Sequence, residues 1–156
     1  MKIKWKILIL CIIIPLAIGG IAGFISKGSM NIFVALTKPP LSPPGWLFPV
    51  VWTILYTMMG IASYLILTSG TAQKNVAKAL KLYGLQLLFN FMWTLWFFNL
   101  GWYWFSFIWI IALWLLILAT TVAFYHISKP AAYLLIPYLA WVAFAGYLNL
   151  GIAILN

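Results

Sequence analysis

The chain has 156 residues, of which 67% are hydrophobic, 19% aromatic and 6% charged, and all nine charged residues are lysines. A water-soluble domain covers its surface with about 25% charged residues, so this composition excludes one and places the protein in a membrane. The lack of any Asp or Glu also excludes paired-acid hydrolysis, carboxylate-held metal sites and carboxylate proton relays.

Crossing a hydrocarbon layer of about 30 Å takes about 20 apolar residues as a helix. Five runs meet this along the sequence, at about 5–25, 46–67, 82–100, 102–125 and 131–155. They predict an all-α fold, an integral membrane bundle of five transmembrane helices forming one domain over 1–156. The first run follows Lys2, Lys4 and Lys6, but its apolar part, 7–25, exceeds the roughly 7–15 residues of a signal peptide core. It reads as a helix that stays. It contains Pro15 and a Gly19-Gly20-x-x-Gly23 cluster, in which Gly19 and Gly23 share one face with the small-xxx-small spacing of close helix packing.

Residues 26–44 are the one long connection, a structured loop with a short helical piece expected at 31–37. It ends in the collar KPPLSPPGWLFPVVW, 38–52. Prolines fix φ and remove backbone donors, so the collar reads as a stiff cover. The second run then presents Trp52, Tyr56 and Ser63 near a common stripe. After a polar link at 68–77, the third carries Gln86, Asn90 and Thr94, each four residues from the last. Successive members drift only about 40° around a helix, so they share a face, with Trp93 beside it.

The links at 99–101 and 127–130 are short enough to force antiparallel packing. Trp102, Tyr103 and Trp104 at one end of the fourth run, with Trp5 and Tyr125 at the opposite ends of their runs, fit interfacial belts. His126 and Cys11 are single residues of their types, and His126 lies at the far end from the collar. The fifth run presents Tyr138, Trp141, Ala145 and Asn149 at spacings of three, four and four.

Polar groups inside a membrane are costly unless they face protein or a cavity. One reading of the three stripes is interhelical glue. The other is a cavity beneath the collar, lined by flat aromatic faces and a few amides, suited to a flat apolar ligand. Convergence of the stripes under a structured loop favours the cavity, and Lys27 and Lys38 at its rim would meet acidic groups on a ligand. Short cytoplasmic loops retain Lys. With the N-terminus inside, Lys2, Lys4, Lys6, Lys74, Lys78, Lys81 and Lys129 are inside and the C-terminus lies outside. The lysines flank membrane spans and form no basic face for nucleic acid, so their expected partner is the lipid bilayer and its anionic headgroups.

The run from Lys38 through Tyr56, with Met59-Gly60 and Ser63-Tyr64-Leu65, resembles the translocator protein family, also called tryptophan-rich sensory proteins or peripheral-type benzodiazepine receptors. Gln86-Leu87-Leu88-Phe89-Asn90 with Trp93 and Phe97-Phe98, Ala119 to Ala123, Pro137 to Trp141, Phe144 and Leu148-Asn149 extend the match over all five runs. The resemblance implies a bacterial-type member in the cytoplasmic membrane, a homodimer that binds porphyrins such as protoporphyrin IX or haem. Animal members bind cholesterol and synthetic isoquinoline or benzodiazepine ligands. Family pocket positions fall on Phe33, Pro44, Trp52, Tyr56, Asn90, Trp93, Trp141 and Ala145, to which the third-run stripe adds Thr94. Trp52 and Trp141 match the indole pair that some bacterial members need for light- and oxygen-dependent porphyrin breakdown, and are the catalytic candidates if such activity exists.

Three departures accompany the match. Ile32-Phe33 stands where Trp-Tyr is common, Trp109 replaces an acidic residue of the fourth helix, and no basic residue follows Tyr147, where a sterol-binding pattern would need one. No metal or resident cofactor is expected. The functional expectation is a tetrapyrrole sensor, carrier or scavenger. The alternatives are a porphyrin-degrading activity and a structural or interaction protein without a small ligand.

Overall fold

The computed structural model describes residues 2–156. Its elements are α1 (Trp5–Ser26), a 3₁₀ turn (Lys27–Ser29), α2 (Met30–Ala35), α3 (Leu47–Leu67), α4 (Gln73–Thr94) continued by a π-helical turn (Leu95–Asn99), α5 (Tyr103–Tyr125) and α6 (Lys129–Leu155). No strand occurs among the described residues. A chain in lipid has no water to satisfy its peptide groups, and helices do so internally.

The long helices close into a ring in the order α1, α3, α6, α5, α4, with α4 returning to α1. Consecutive long helices run antiparallel, so the basic starts of α1, α4 and α6 share one end of the bundle and the loop caps the other. At the basic end the Lys4 amide donates to the Tyr64 hydroxyl at 2.9 Å. At the loop end Asn99 donates to the Ile25 carbonyl at 3.1 Å.

The apolar surface is distributed as a bilayer requires. Met59, Ile66, Ile117 and Phe124 are fully buried at the centre, while Ile13 and Ile14 of α1 and Ile108, Ile111 and Leu115 of α5 point outward. Glycine sets the closest helix approach. A Cβ at Gly60 would run into the backbone of Cys11 and Ile12, so α1 and α3 meet at van der Waals distance there. Of the predicted Gly19/Gly23 pair, Gly19 packs under the Tyr56 ring, whereas a Cβ at Gly23 would meet nothing within 4 Å. The pair is split between packing and open space.

One expectation needs correction. The third long helix begins at Gln73, not at 82, because Lys74, Lys78 and Lys81 continue the helix out of the apolar layer, where length-and-hydropathy reasoning does not see it; the link shrinks to residues 68–72. Among the described residues, four helical stretches are long and apolar enough to cross a membrane, Trp5–Ala35, Leu47–Leu67, Tyr103–Tyr125 and Lys129–Leu155. The basic first turns of α4 dilute its apolar character below theirs, and the π turn extends its apolar half to Asn99. The bundle still has five long helices. The start of α6 follows local chemistry: Ser128 Oγ accepts from the Ala131 amide and Pro130 sits in the first turn, where its missing N–H costs nothing.

Candidate functional site

A cavity of about 480 Å³ lies under the loop, lined by residues of α1, α2, α3, α4 and α6. From α3 come Phe48, Trp52 and Tyr56; from α4 and its π turn come Trp93, Thr94, Phe97 and Phe98; from α6 come Trp141, Ala145 and Asn149; and Phe33, Lys38 and Pro43 close the loop side.

The rings contact one another in two groups, one around Phe33 and one around Trp52. Phe33 meets Phe48 edge-on at 6.2 Å and Phe98 at 5.3 Å, and Phe48 meets Trp141 at 5.9 Å. Trp52 stacks on Tyr56 at 5.4 Å and stands edge-on to Tyr138 at 6.2 Å, while Trp93 stacks on Phe97 at 5.1 Å. Offset and edge contacts at these spacings stabilise aromatic pairs by about 0.5–1.5 kcal/mol each beyond burial, so the lining is pre-organised. The π turn brings Phe97 and Phe98 in together, with the Leu100 amide reaching back to the Leu95 carbonyl at 3.1 Å. One extra residue in the turn lets adjacent side chains both face inward.

Beneath the cavity the buried polar side chains are consumed by one another. The Tyr56 hydroxyl donates to Asn90 Oδ1 at 3.1 Å, Asn90 Nδ2 donates to the Tyr138 hydroxyl at 2.7 Å, and that hydroxyl donates to Gln86 Oε1 at 2.6 Å. Higher up, Trp93 Nε1 donates to Asn149 Oδ1 at 3.0 Å and Asn149 Nδ2 to the Tyr103 carbonyl at 2.9 Å. These chains tie α3, α4, α5 and α6 together. The glue and cavity readings of the stripes therefore apply to different members: the amides fix the helices, and the aromatic faces form the wall.

Of the residues picked from the sequence, Phe33, Trp52, Tyr56, Trp93, Thr94, Trp141 and Ala145 line the cavity. Asn90 lies below it in the hydrogen-bonded floor, 2% exposed. Pro44 is not among the lining residues, and its neighbours Pro43 and Gly45 are. Phe48, Phe97 and Phe98 were missed. Phe48 lies one helical turn before Trp52, so its spacing carried a signal, whereas Phe97 and Phe98 are brought in together by a π turn that an α-helical period does not anticipate.

The loop is fixed to α6. The Tyr147 hydroxyl donates to the Pro40 carbonyl at 2.7 Å, Asn156 bonds the amide and carbonyl of Thr37 at 3.1 and 2.8 Å, and Gly151 faces Pro39 with no room for a Cβ. Lys38 Nζ donates to the carbonyls of Val34 and Leu36 at 3.1 and 3.2 Å and lies 4.9 Å from the Phe33 ring centre. Two of its three N–H donors are thus used, and one is left at the cavity rim. Trp109 stays outside the site, stacked on Phe89 at 4.3 Å with its N–H on the Phe89 carbonyl at 2.9 Å.

The TspO/MBR family model matches residues 11–155. The chain is 43% identical over 151 residues to the tryptophan-rich protein TspO of Chlorobaculum tepidum, covering 96% of this chain and 95% of that one. It is 39% identical to the tryptophan-rich protein TspO of Archaeoglobus fulgidus, with 96% of both chains covered. It is also 39% identical over 137 residues to the translocator protein of Ovis aries, covering 84% and 79% respectively.

Proposed function

Since the chain belongs to the TspO/MBR family of membrane proteins, we propose that it binds a porphyrin such as protoporphyrin IX or haem in the cavity under the loop, as a sensor, carrier or scavenger. The observation that carries this reading is the shape and chemistry of the lining: flat rings on three helices and the lid, with few polar groups. Large conjugated rings gain most from such walls, because both faces stack and little polar surface is left unpaired. Acidic side arms on the ligand would find Lys38 and Lys27 at the rim, where no Asp or Glu side chain competes.

The test is a titration of protoporphyrin IX into purified protein, followed by tryptophan quenching in the dark. Saturable quenching that is lost when Trp52 and Trp141 are both changed to Phe supports the reading. Quenching of the same size in the double variant counts against this cavity.

A second reading, light- and oxygen-dependent breakdown of the bound porphyrin, is favoured by the presence of both indoles, Trp52 and Trp141, on one cavity. No acid or base lies in the lining apart from the lysines, so the chemistry would come from the excited ligand and oxygen, with the protein holding the ring. Equal porphyrin bleaching under light in wild type and the double variant would remove this reading.

A further inference from the structure

We infer that the cavity is filled sideways, from the leaflet on the loop side, through a gap between α1 and α3, by flat amphiphiles that keep an acidic group at headgroup level. This rests on the reading of the cavity as a porphyrin site. The two helices touch closely at Gly60 and at Gly19. Just past Gly19 the contact ends: Gly20 and Gly23 line the cavity, both are exposed, and a Cβ on either would meet nothing within 4 Å. On the facing helix Pro49 and Thr53 also line the cavity and are exposed. A residue that is at once cavity lining and outer surface marks a break in the wall, and here two helices supply such residues opposite each other.

The edges of the gap suit lipid. Pro49 has no N–H, and the Thr53 hydroxyl donates to the Pro49 carbonyl at 2.7 Å, so the side chains there show carbon and need no water. Lys27 stands one turn above Gly23, about 6 Å along the axis, exposed, with Nζ 4.4 Å from the Phe24 ring centre. That places a fixed positive charge where the acid of a membrane-dissolved amphiphile resides. The ligand then needs only to move sideways, its acid staying among headgroups and its ring staying in carbon. Entry from water through the loop would instead require opening the contacts of Pro39, Pro40 and Thr37 with α6.

The test uses the full chain in phosphatidylcholine vesicles preloaded with protoporphyrin IX, followed by stopped-flow tryptophan quenching. Gly23→Leu and Gly20→Leu place a side chain in the gap where there is space for it. Ile21→Phe, on the same helix but outside the lining, is the control. Association and release both slowed about tenfold in the glycine variants, with the Ile21→Phe control like wild type in both, is the expected result. Unchanged rates in both glycine variants overturn the inference. No saturable quenching in wild type overturns the porphyrin reading instead, and the gap is then judged without ligand in vesicles of dibrominated phosphatidylcholine. Bromine quenching of Trp52, taken as the difference from Trp52→Phe, should fall in Gly23→Leu; equal quenching in both backgrounds overturns the gap.

Discussion

Trp93 and Trp141 line the same cavity yet differ in what they leave behind when shortened. The Trp93 indole N–H is bonded to Asn149, whereas the Trp141 indole N–H is buried without a partner. Trp93→Phe strands a buried amide oxygen and should cost about 1 kcal/mol of stability, while Trp141→Phe should cost less and act mainly on ligand affinity; thermal unfolding in detergent read beside the porphyrin titration separates the two. If the cavity takes a porphyrin, Lys38 at its rim is the residue expected to distinguish an acid from its ester. Lys38→Met should weaken protoporphyrin IX about fivefold, a loss near 1 kcal/mol, and leave the neutral dimethyl ester unaffected. Most of the wall was legible at this scale because a four-residue spacing of Trp, Tyr and Thr is hard to produce by chance. Asn90 was legible as part of the stripe but not as floor: spacing gives the face a residue is on, and only packing decides whether its partner is a ligand or Tyr138.

Among the helices, α1 and α3 carry the sharpest packing constraint. Gly60→Ala should destabilise the bundle by about 1–3 kcal/mol, since the added methyl meets backbone that cannot turn aside. Gly84→Ala on the open face of α4 should be neutral or gain up to about 1 kcal/mol. Paired melting curves check both, and equal effects would show that the Gly60 contact is not tight. This contact was hidden in the sequence because a lone glycine in an apolar run has no spacing partner, while the Gly19/Gly23 spacing pointed to close packing for a residue that faces open space. The early start of α4 was hidden for a different reason. Hydropathy marks where a helix enters lipid, and the polar turns from Gln73 are held by backbone bonds that hydropathy does not report. The π turn belongs to the same class, since it is closed by backbone bonds from Leu100 to Leu95 and from Trp102 to Trp96 around the Gly101 turn.

The lysines give the whole molecule a charged end and a nearly uncharged one. If the basic end faces the cytoplasm, a membrane-impermeant amine reagent applied to sealed inside-out vesicles should modify Lys2, Lys4, Lys6, Lys74, Lys78, Lys81 and Lys129 and spare Lys27; the reverse pattern would invert the topology. The five-helix outline was legible because membrane solvation leaves a chain few alternatives. The ring order of the helices was not, because short links fix only sequential neighbours and α3 packs on α6 across the whole of α4 and α5. The loop illustrates the same non-local wiring: Pro40 and Thr37 are joined to α6 by bonds spanning 107 and 119 residues. A chain emerges from the ribosome at about 5–20 residues per second with its N-terminal part free to fold first. The lid over the cavity must therefore wait, unfastened, until α6 has been made and inserted, so the covered cavity comes into being only when a helix more than a hundred residues further along the chain arrives to hold it shut.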